Sequence, residues 1–329
     1  MSNKADQADE SKASFAAYIL LSEPIQFNTL EIAEALAEDY PSLEATELFA
    51  KSGQEGFDCD TDQFITAPLM MVDGQDKNTV LLVRLPGYGT WDPAAIPPRQ
   101  MINCPNIKDA LARNRSYICV SVSTRSDDLT DRFRAARLAS CVAAVFARLP
   151  VALAAYWESG DHFLSPEAVV NMADKAVSGD WPTKEWIGQN LARDTSFDPP
   201  AAQSCTNGLR HFLDYEISYA KAPVGLDEAA MWLWSTSEMA LAFGNKFEDG
   251  HTIGLEGVAP KDSHLLRRAP KGFQGSEHEL LVMFHPKSYA NHEEMFGPHN
   301  LRPHPNPEEA YVQPNYGFFK RMLHGMRTS

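Results

Sequence analysis

The 329-residue sequence predicts an α+β protein: mixed, largely antiparallel sheets with helices packed on one face, in two-layer sandwich units. Two observations carry that expectation. Residues 205–255 read as strand, tight break, strand, long helix and strand, the most regular stretch of the chain. Short β-branched runs, such as SYICVSVST at 116–124, also recur between segments of helical periodicity.

In chain order, residues 1–13 are polar and are expected to form a disordered tail. Order is expected from Phe15. FAAYILL is a compact strand-like run ended by Pro24, and LEIAEALAEDY has Leu30, Ala33, Leu36 and Ala37 at helical spacing. Residues 44–64 show no clear period and end in a Gly/Asp-rich loop. ITAPLMMVDG and NTVLLVRLP are read as two strands joined by DGQDKN, and the proline-rich PGYGTWDPAAIPPRQ must be irregular. After the buried strand 116–124, Ser126 is read as the cap of a helix whose first turn holds Asp127 and Asp128. ALAAYW returns as a strand, and Ser165 caps a further helix with Pro166 in its first turn. Residues 174–203 read as a connector, with Pro199-Pro200 its clearest break.

In the organising stretch, Leu209, Phe212, Tyr215, Ile217 and Tyr219 suit two paired strands. Asp227 is read as the cap of the long helix, with Leu226 as its staple and Gly244 as its left-handed exit. Beyond it, the run at Leu265-Leu266 and ELLVMF at 279–284 should pair as a hairpin around GFQGSE, and GFFKRMLHGM at 317–326 suits a short helix. The expected organisation is an N-terminal α/β half at 14–158, a connector at 159–203, a C-terminal α+β half at 204–285 and a Pro/His-rich extension at 286–329. A helix layer buries one sheet face, so the second face is the place to look for function.

Composition narrows the partners. A formal charge of −15 repels phosphate backbones, so no nucleic-acid partner is expected. The Arg113, Arg115, Arg132, Arg134 and Arg137 run reads as a solvated helix face, and the acidity fits solubility and a basic protein partner equally. The five cysteines include no CxxC pair, which is reduced, cytoplasmic usage. The N-terminus has no apolar core of a secretory leader, and the longest apolar run, 141–156, is broken by Arg148 and Pro150, so no membrane contact is expected.

Chemical motifs are sparse. His278, His285, His292 and His299 recur every seven residues, but zinc ligands usually come as closer pairs or with cysteines, so the segment reads as a polar strap. Binding of a metal by these histidines stays open as an alternative. Gly87-Tyr88-Gly89 lacks the third glycine of a dinucleotide fingerprint, and Asp92 would oppose a pyrophosphate; no cofactor is expected. Cys205 and His211 read as structural. WESGDHF, at 157–163, is the best candidate site, because Trp157, Glu158, Asp161 and His162 gather at a strand end, where loops on a rigid sheet carry binding groups. The same cluster fits a structural turn with a hydrogen-bonded histidine, or a hydrolase-like acid/base group.

The order of AYILLSEP, the 127–147 helix, PVALAAYWESGDHFLSPEAV, CTNGLRHFLDYEISY, the 227–243 helix and DGHTIGLEG resembles the bacterial domain-of-unknown-function family 4261 across most of residues 15–284. The strand, acidic second strand and covering helix are also similar to suppressor-of-fused domains, which bind proteins and include bacterial immunity proteins. These resemblances imply a fold and a protein-binding role, as an immunity or accessory factor of a toxin or secretion system. Residues 286–329 depart from the family pattern.

Overall fold

The computed structural model describes residues 13–27, 29–43, 67–69, 78–86, 91–124, 127–244, 247–254, 263–269, 271–272, 276–290 and 311–312. Several expectations lie outside them: the 44–64 segment, the DGQDKN loop, Gly87-Tyr88-Gly89, Ser126, His292, His299 and the 317–326 helix. The chain divides into two compact units, 1–188 and 189–329, with the division inside the stretch read as connector.

In the first unit the strands are β1 (Ala13–Leu21), β2 (Ala67–Leu69), β3 (Asn78–Pro86), β4 (Ser116–Thr124), β5 (Ala152–Trp157) and β6 (His162–Leu164). Among the described residues they form one sheet of order β2-β3-β4-β1-β5-β6, antiparallel at each pairing. The helices are α1 (Thr29–Asp39), α2 (Ile107–Arg113), α3 (Leu129–Ala147), α4 (Pro166–Val177) and the one-turn α5 (Thr183–Trp186). β1 is central and pairs β4 along its whole length, from Ala13 opposite Thr124 to Leu21 opposite Ser116.

Side chains alternate across a strand, so Phe15, Ala17 and Ile19 of β1 leave one face, and Tyr18 and Leu20 the other. α3 packs on β1, β4 and β5, and α4 packs on α3 and β5, making the expected helix layer. α3 starts at Leu129, with Asp128 as its cap accepting from Thr130 N–H at 2.7 Å. That corrects the expected cap at Ser126 and removes Asp127 and Asp128 from the first turn. Ser165 does cap α4, accepting from Ala168 N–H at 3.1 Å. The opposite sheet face is covered in part. Leu20, Ala154 and Phe163 pack with Ile107 and Leu111 of α2 and with Ile96 from the proline-rich segment.

In the second unit, β7 (Gly188–Asp194), β8 (Ala201–Asn207), β9 (Tyr215–Ala222), β10 (Thr252–Ile253), β11 (His264–Ala269), β12 (Glu279–Phe284) and β13 (Tyr311–Val312) take the order β13-β10-β11-β12-β9-β8-β7 among the described residues. This sheet is mixed: β9 runs parallel to β12 and β10 to β13. β11 and β12 form the expected hairpin. α6 (Arg210–Leu213) is a single turn, and α7 (Leu226–Phe243) packs on β8 and β9.

Two local expectations need correction here. Leu209 and Phe212 lie in the turn and in α6 rather than in a strand, because Gly208 at φ 109° and Asp214 at φ 66° reverse the chain on either side of one helical turn. α7 begins one residue before Asp227, with Gly225 as an N-cap that offers no side chain, and ends at Gly244 in a left-handed conformation. Its serines are satisfied locally: Ser235 and Ser237 hydroxyls donate to Met231 O and Leu233 O, each at 2.8 Å, which lets Ser237 share the buried stripe. Among the described residues, no helix is long and apolar enough to cross a membrane.

Candidate functional site

The turn between β5 and β6 sets the geometry. Asp161 N–H donates to Glu158 O at 3.0 Å, and Asp161 takes a left-handed backbone with φ 51°. That conformation costs a non-glycine residue free energy, which its side chain can offset. The Asp161 carboxylate accepts from the Tyr156 hydroxyl at 2.7 Å, from Arg99 Nη1 at 2.8 Å and from Gln100 Nε2. It thereby latches the 3-10 turn Pro98–Met101 onto the hairpin.

Pairing places Trp157 opposite His162 and Tyr156 opposite Phe163, so the four residues singled out in the sequence separate onto two faces. Trp157 and His162 are buried on the helix side. Trp157 Nε1 donates to Trp186 O at 3.1 Å, and Trp186 Nε1 in turn to Ser140 Oγ of α3 at 2.9 Å. The His162 ring nitrogens each lie 3.0 Å from a carbonyl oxygen, of Gly160 and of Glu185. Burial lowers the imidazole pKa against the pull of both carbonyls. Neutral His162 therefore donates to one carbonyl and rests against the other, as a strut between the hairpin and α5. Space there is so tight that a Cβ on Gly188 would collide with Gly160 O.

Glu158 and Asp161 emerge on the opposite side. Asp161 is committed to its three donors, whereas Glu158 is exposed and meets the Tyr18 hydroxyl at 3.5 Å. Alternation brings Tyr18 of β1, Tyr117 of β4 and Tyr156 of β5 to this same face, since β1 lies between the other two and Tyr18 pairs with Tyr156. Trp91 enters among them from the proline-rich segment. Its ring centroid stands 5.2 Å from that of Tyr156, 5.7 Å from Phe163, 6.0 Å from Tyr18 and 6.2 Å from Tyr117. These are tilted and edge-to-face contacts, the orientations that ring quadrupoles favour. Phe163 is buried beneath, and the other four rings are half-buried.

Burial pushes the Tyr18, Tyr117 and Tyr156 phenols up, the Asp161 hydrogen bond adding to the effect at Tyr156, so all three remain hydroxyl donors at neutral pH. Cys119, opposite Tyr18 in β4, is pushed up to about 11 by burial and is a thiol rather than a nucleophilic thiolate. The surface thus offers aromatic faces, hydroxyl donors and one exposed carboxylate, which is equipment for recognition.

The chain matches no protein-family model, no curated protein and no solved structure.

Within the second unit, polar groups turn inward. The buried Glu216 carboxylate accepts from Thr206 Oγ1 at 2.6 Å, Gly208 N at 2.8 Å, Leu209 N at 3.2 Å, and Arg210 through Nη1 at 3.2 Å. A ring of amides of the kind that captures anions is here filled by the chain's own side chain. Buried His264 lies 3.3 Å from the Tyr219 hydroxyl through Nε2 and leans tilted against Trp232, with ring centroids 4.1 Å apart. Burial, with His285 adding to it, lowers the His264 pKa to about 3. His285 accepts from Lys287 N–H at 2.9 Å through Nδ1 and aims Nε2 at Glu228, 3.8 Å away. Cys205 donates to Thr206 O at 3.3 Å, and burial raises it to about 12. No group of three or more His, Cys, Asp or Glu among the described residues is placed to hold a metal ion.

Sequence reasoning chose a window that begins one residue past Tyr156 and missed Tyr18, Trp91 and Tyr117. A signal did exist: AAYILL, SYICV and AAYW each carry one tyrosine inside an otherwise aliphatic strand.

Proposed function

We propose that the protein is a non-enzymatic protein-binding module that docks its partner on the Tyr18, Trp91, Tyr117 and Tyr156 surface, in the manner of an immunity or accessory factor of a bacterial toxin or secretion system. The observation that carries this reading is the partly buried cluster of four rings on the sheet face opposite α3 and α4, rimmed by Glu158 and by the Arg99–Asp161 pair at 2.8 Å. Tyrosine and tryptophan supply large contact area at small entropic cost and dominate the energetics of protein interfaces. The latch at Asp161 fixes the loop that carries Trp91, so little ordering remains for binding to pay for. Kinship with the 4261 family and with suppressor-of-fused-like domains is part of the same proposal and fits a binding role.

The test is co-purification from the native host with tagged full-length protein. Wild type and Glu167→Lys, a change on the exposed side of α4, retain the same partner. Tyr117→Ser combined with Glu158→Lys loses it while keeping the folded far-UV circular dichroism, with a melting temperature lowered by the packing that Tyr117 gives up. Retention of the partner by the patch variant, with loss in Glu167→Lys, places the interface on the helix side and refutes the proposal.

A further inference from the structure

The four-ring surface carries a charge asymmetry. Arg99 is the guanidinium at its edge, and the Asp161 carboxylate already neutralises it at 2.8 Å. Among the described residues the Glu158 carboxylate has no such cationic partner; it meets the Tyr18 hydroxyl at 3.5 Å, and it is exposed. Among the described residues the surface therefore presents the Glu158 carboxylate, without a cation beside it, next to the negative faces of half-buried aromatic rings. The whole chain adds to the same field, with a formal charge of −15.

On these grounds, and resting on the docking surface proposed above, we infer that its occupant is an arginine side chain from a basic protein partner, stacked on Trp91 and Tyr18 and paired with Glu158. Arginine fits better than lysine for three reasons. A guanidinium is planar and stacks on a ring. It is more weakly hydrated than an ammonium, so less is lost when water leaves the rings. Its fork can also engage both carboxylate oxygens of Glu158 at once. Electrostatic complementarity of this kind sets partner choice and speeds encounter.

The probe is a short tetra-arginine peptide against its tetra-citrulline counterpart, which keeps shape and hydrogen-bonding but not charge. Each is titrated into the full chain while the Trp91 indole N–H resonance is followed. The expected result is a saturable shift of Trp91 with the arginine peptide and none with citrulline. Glu158→Gln, an exposed isosteric change, should weaken the arginine peptide about tenfold, and a tetra-lysine peptide should bind more weakly than arginine. Equal binding of citrulline and arginine, or an unchanged affinity in Glu158→Gln, overturns the arginine assignment. A silent Trp91 resonance overturns it too. In any of these cases, partner capture that is still lost in the Tyr117→Ser, Glu158→Lys variant shows that the docking surface stands without its arginine; capture that survives shows that both readings fail.

Discussion

Removing the carboxylate of Glu216 should unfold the turn that closes β8 onto β9. Glu216 is 4% exposed, and five donors from four residues, Thr206, Gly208, Leu209 and Arg210, converge on it. In Glu216→Ala the Arg210 guanidinium, which is partly exposed, can turn to water. The Gly208 and Leu209 amides cannot, because Gly208 at φ 109° fixes their direction inward. Each buried donor left unpaired costs about 1–3 kcal/mol, and the lost bonds are to a charged acceptor, so the variant should lose about 3–5 kcal/mol. Against a typical stability of about 5–15 kcal/mol that is a large fraction. Glu216→Gln keeps one acceptor oxygen but aims an NH2 group at an amide, so its loss should be about 2–3 kcal/mol. Thr206→Val, which removes a single donor, should cost about 1–2 kcal/mol. The chain has two units, so the readout is native-state hydrogen exchange on β8 and β9 rather than a global melt. A loss below about 1 kcal/mol for Glu216→Ala would mean that water replaces the carboxylate freely and that the ring of amides does not hold the turn.

Three further outcomes follow from the structure. Gly188→Ala should destabilise the first unit by about 3 kcal/mol, since the new Cβ meets the Gly160 carbonyl, which is backbone and cannot swing aside; urea denaturation followed through Trp157 and Trp186 checks it. The second unit should weaken in mild acid: unfolded His264 takes a proton near pH 6.5 while the folded imidazole resists until about 3, so stability is complete above pH 6.5 and falls as pH drops through that window. The loss is about 2 kcal/mol at pH 5. In His264→Gln the difference between pH 7 and pH 5 should shrink to what His285, also lowered by burial, contributes, and His162 adds a change of the same sign in the first unit. Asp161→Ala should free Arg99, Gln100 and Tyr156 together; partner affinity should fall at least about tenfold through disorder of the Trp91 loop, measured by calorimetry.

The fold class was legible because it rests on local pattern. The apolar periods of α3 and α7, the Ser165 cap with Pro166, and the β11–β12 hairpin all follow from residues within a few positions of each other. The caps at Asp128 and Gly225 were each misplaced by two residues, since several small or acidic residues compete there and only backbone geometry chooses among them. Leu209 and Phe212 passed for strand residues because the helical turn that holds them depends on a carboxylate six or seven positions further on. The site was the least legible part. Tyr18, Trp91, Tyr117 and Tyr156 come from three strands and a proline-rich loop, and nothing short of strand order brings them together. Within 157–163, alternation along β5 and β6 assigns Trp157 and His162 to the core and leaves Glu158 outside, a division that depends on register with β1.

The central claim is that the aromatic face of the first sheet is the contact surface, and hydroxyl-radical footprinting of the protein with its co-purified partner tests it most directly. Oxidation of Trp91 and Tyr117 should fall sharply in the complex, while Trp181, a half-buried ring in edge-to-face contact with Phe133 of α3, stays as reactive as in the free protein. Unchanged oxidation at Trp91 and Tyr117, with protection at Trp181, would contradict the account.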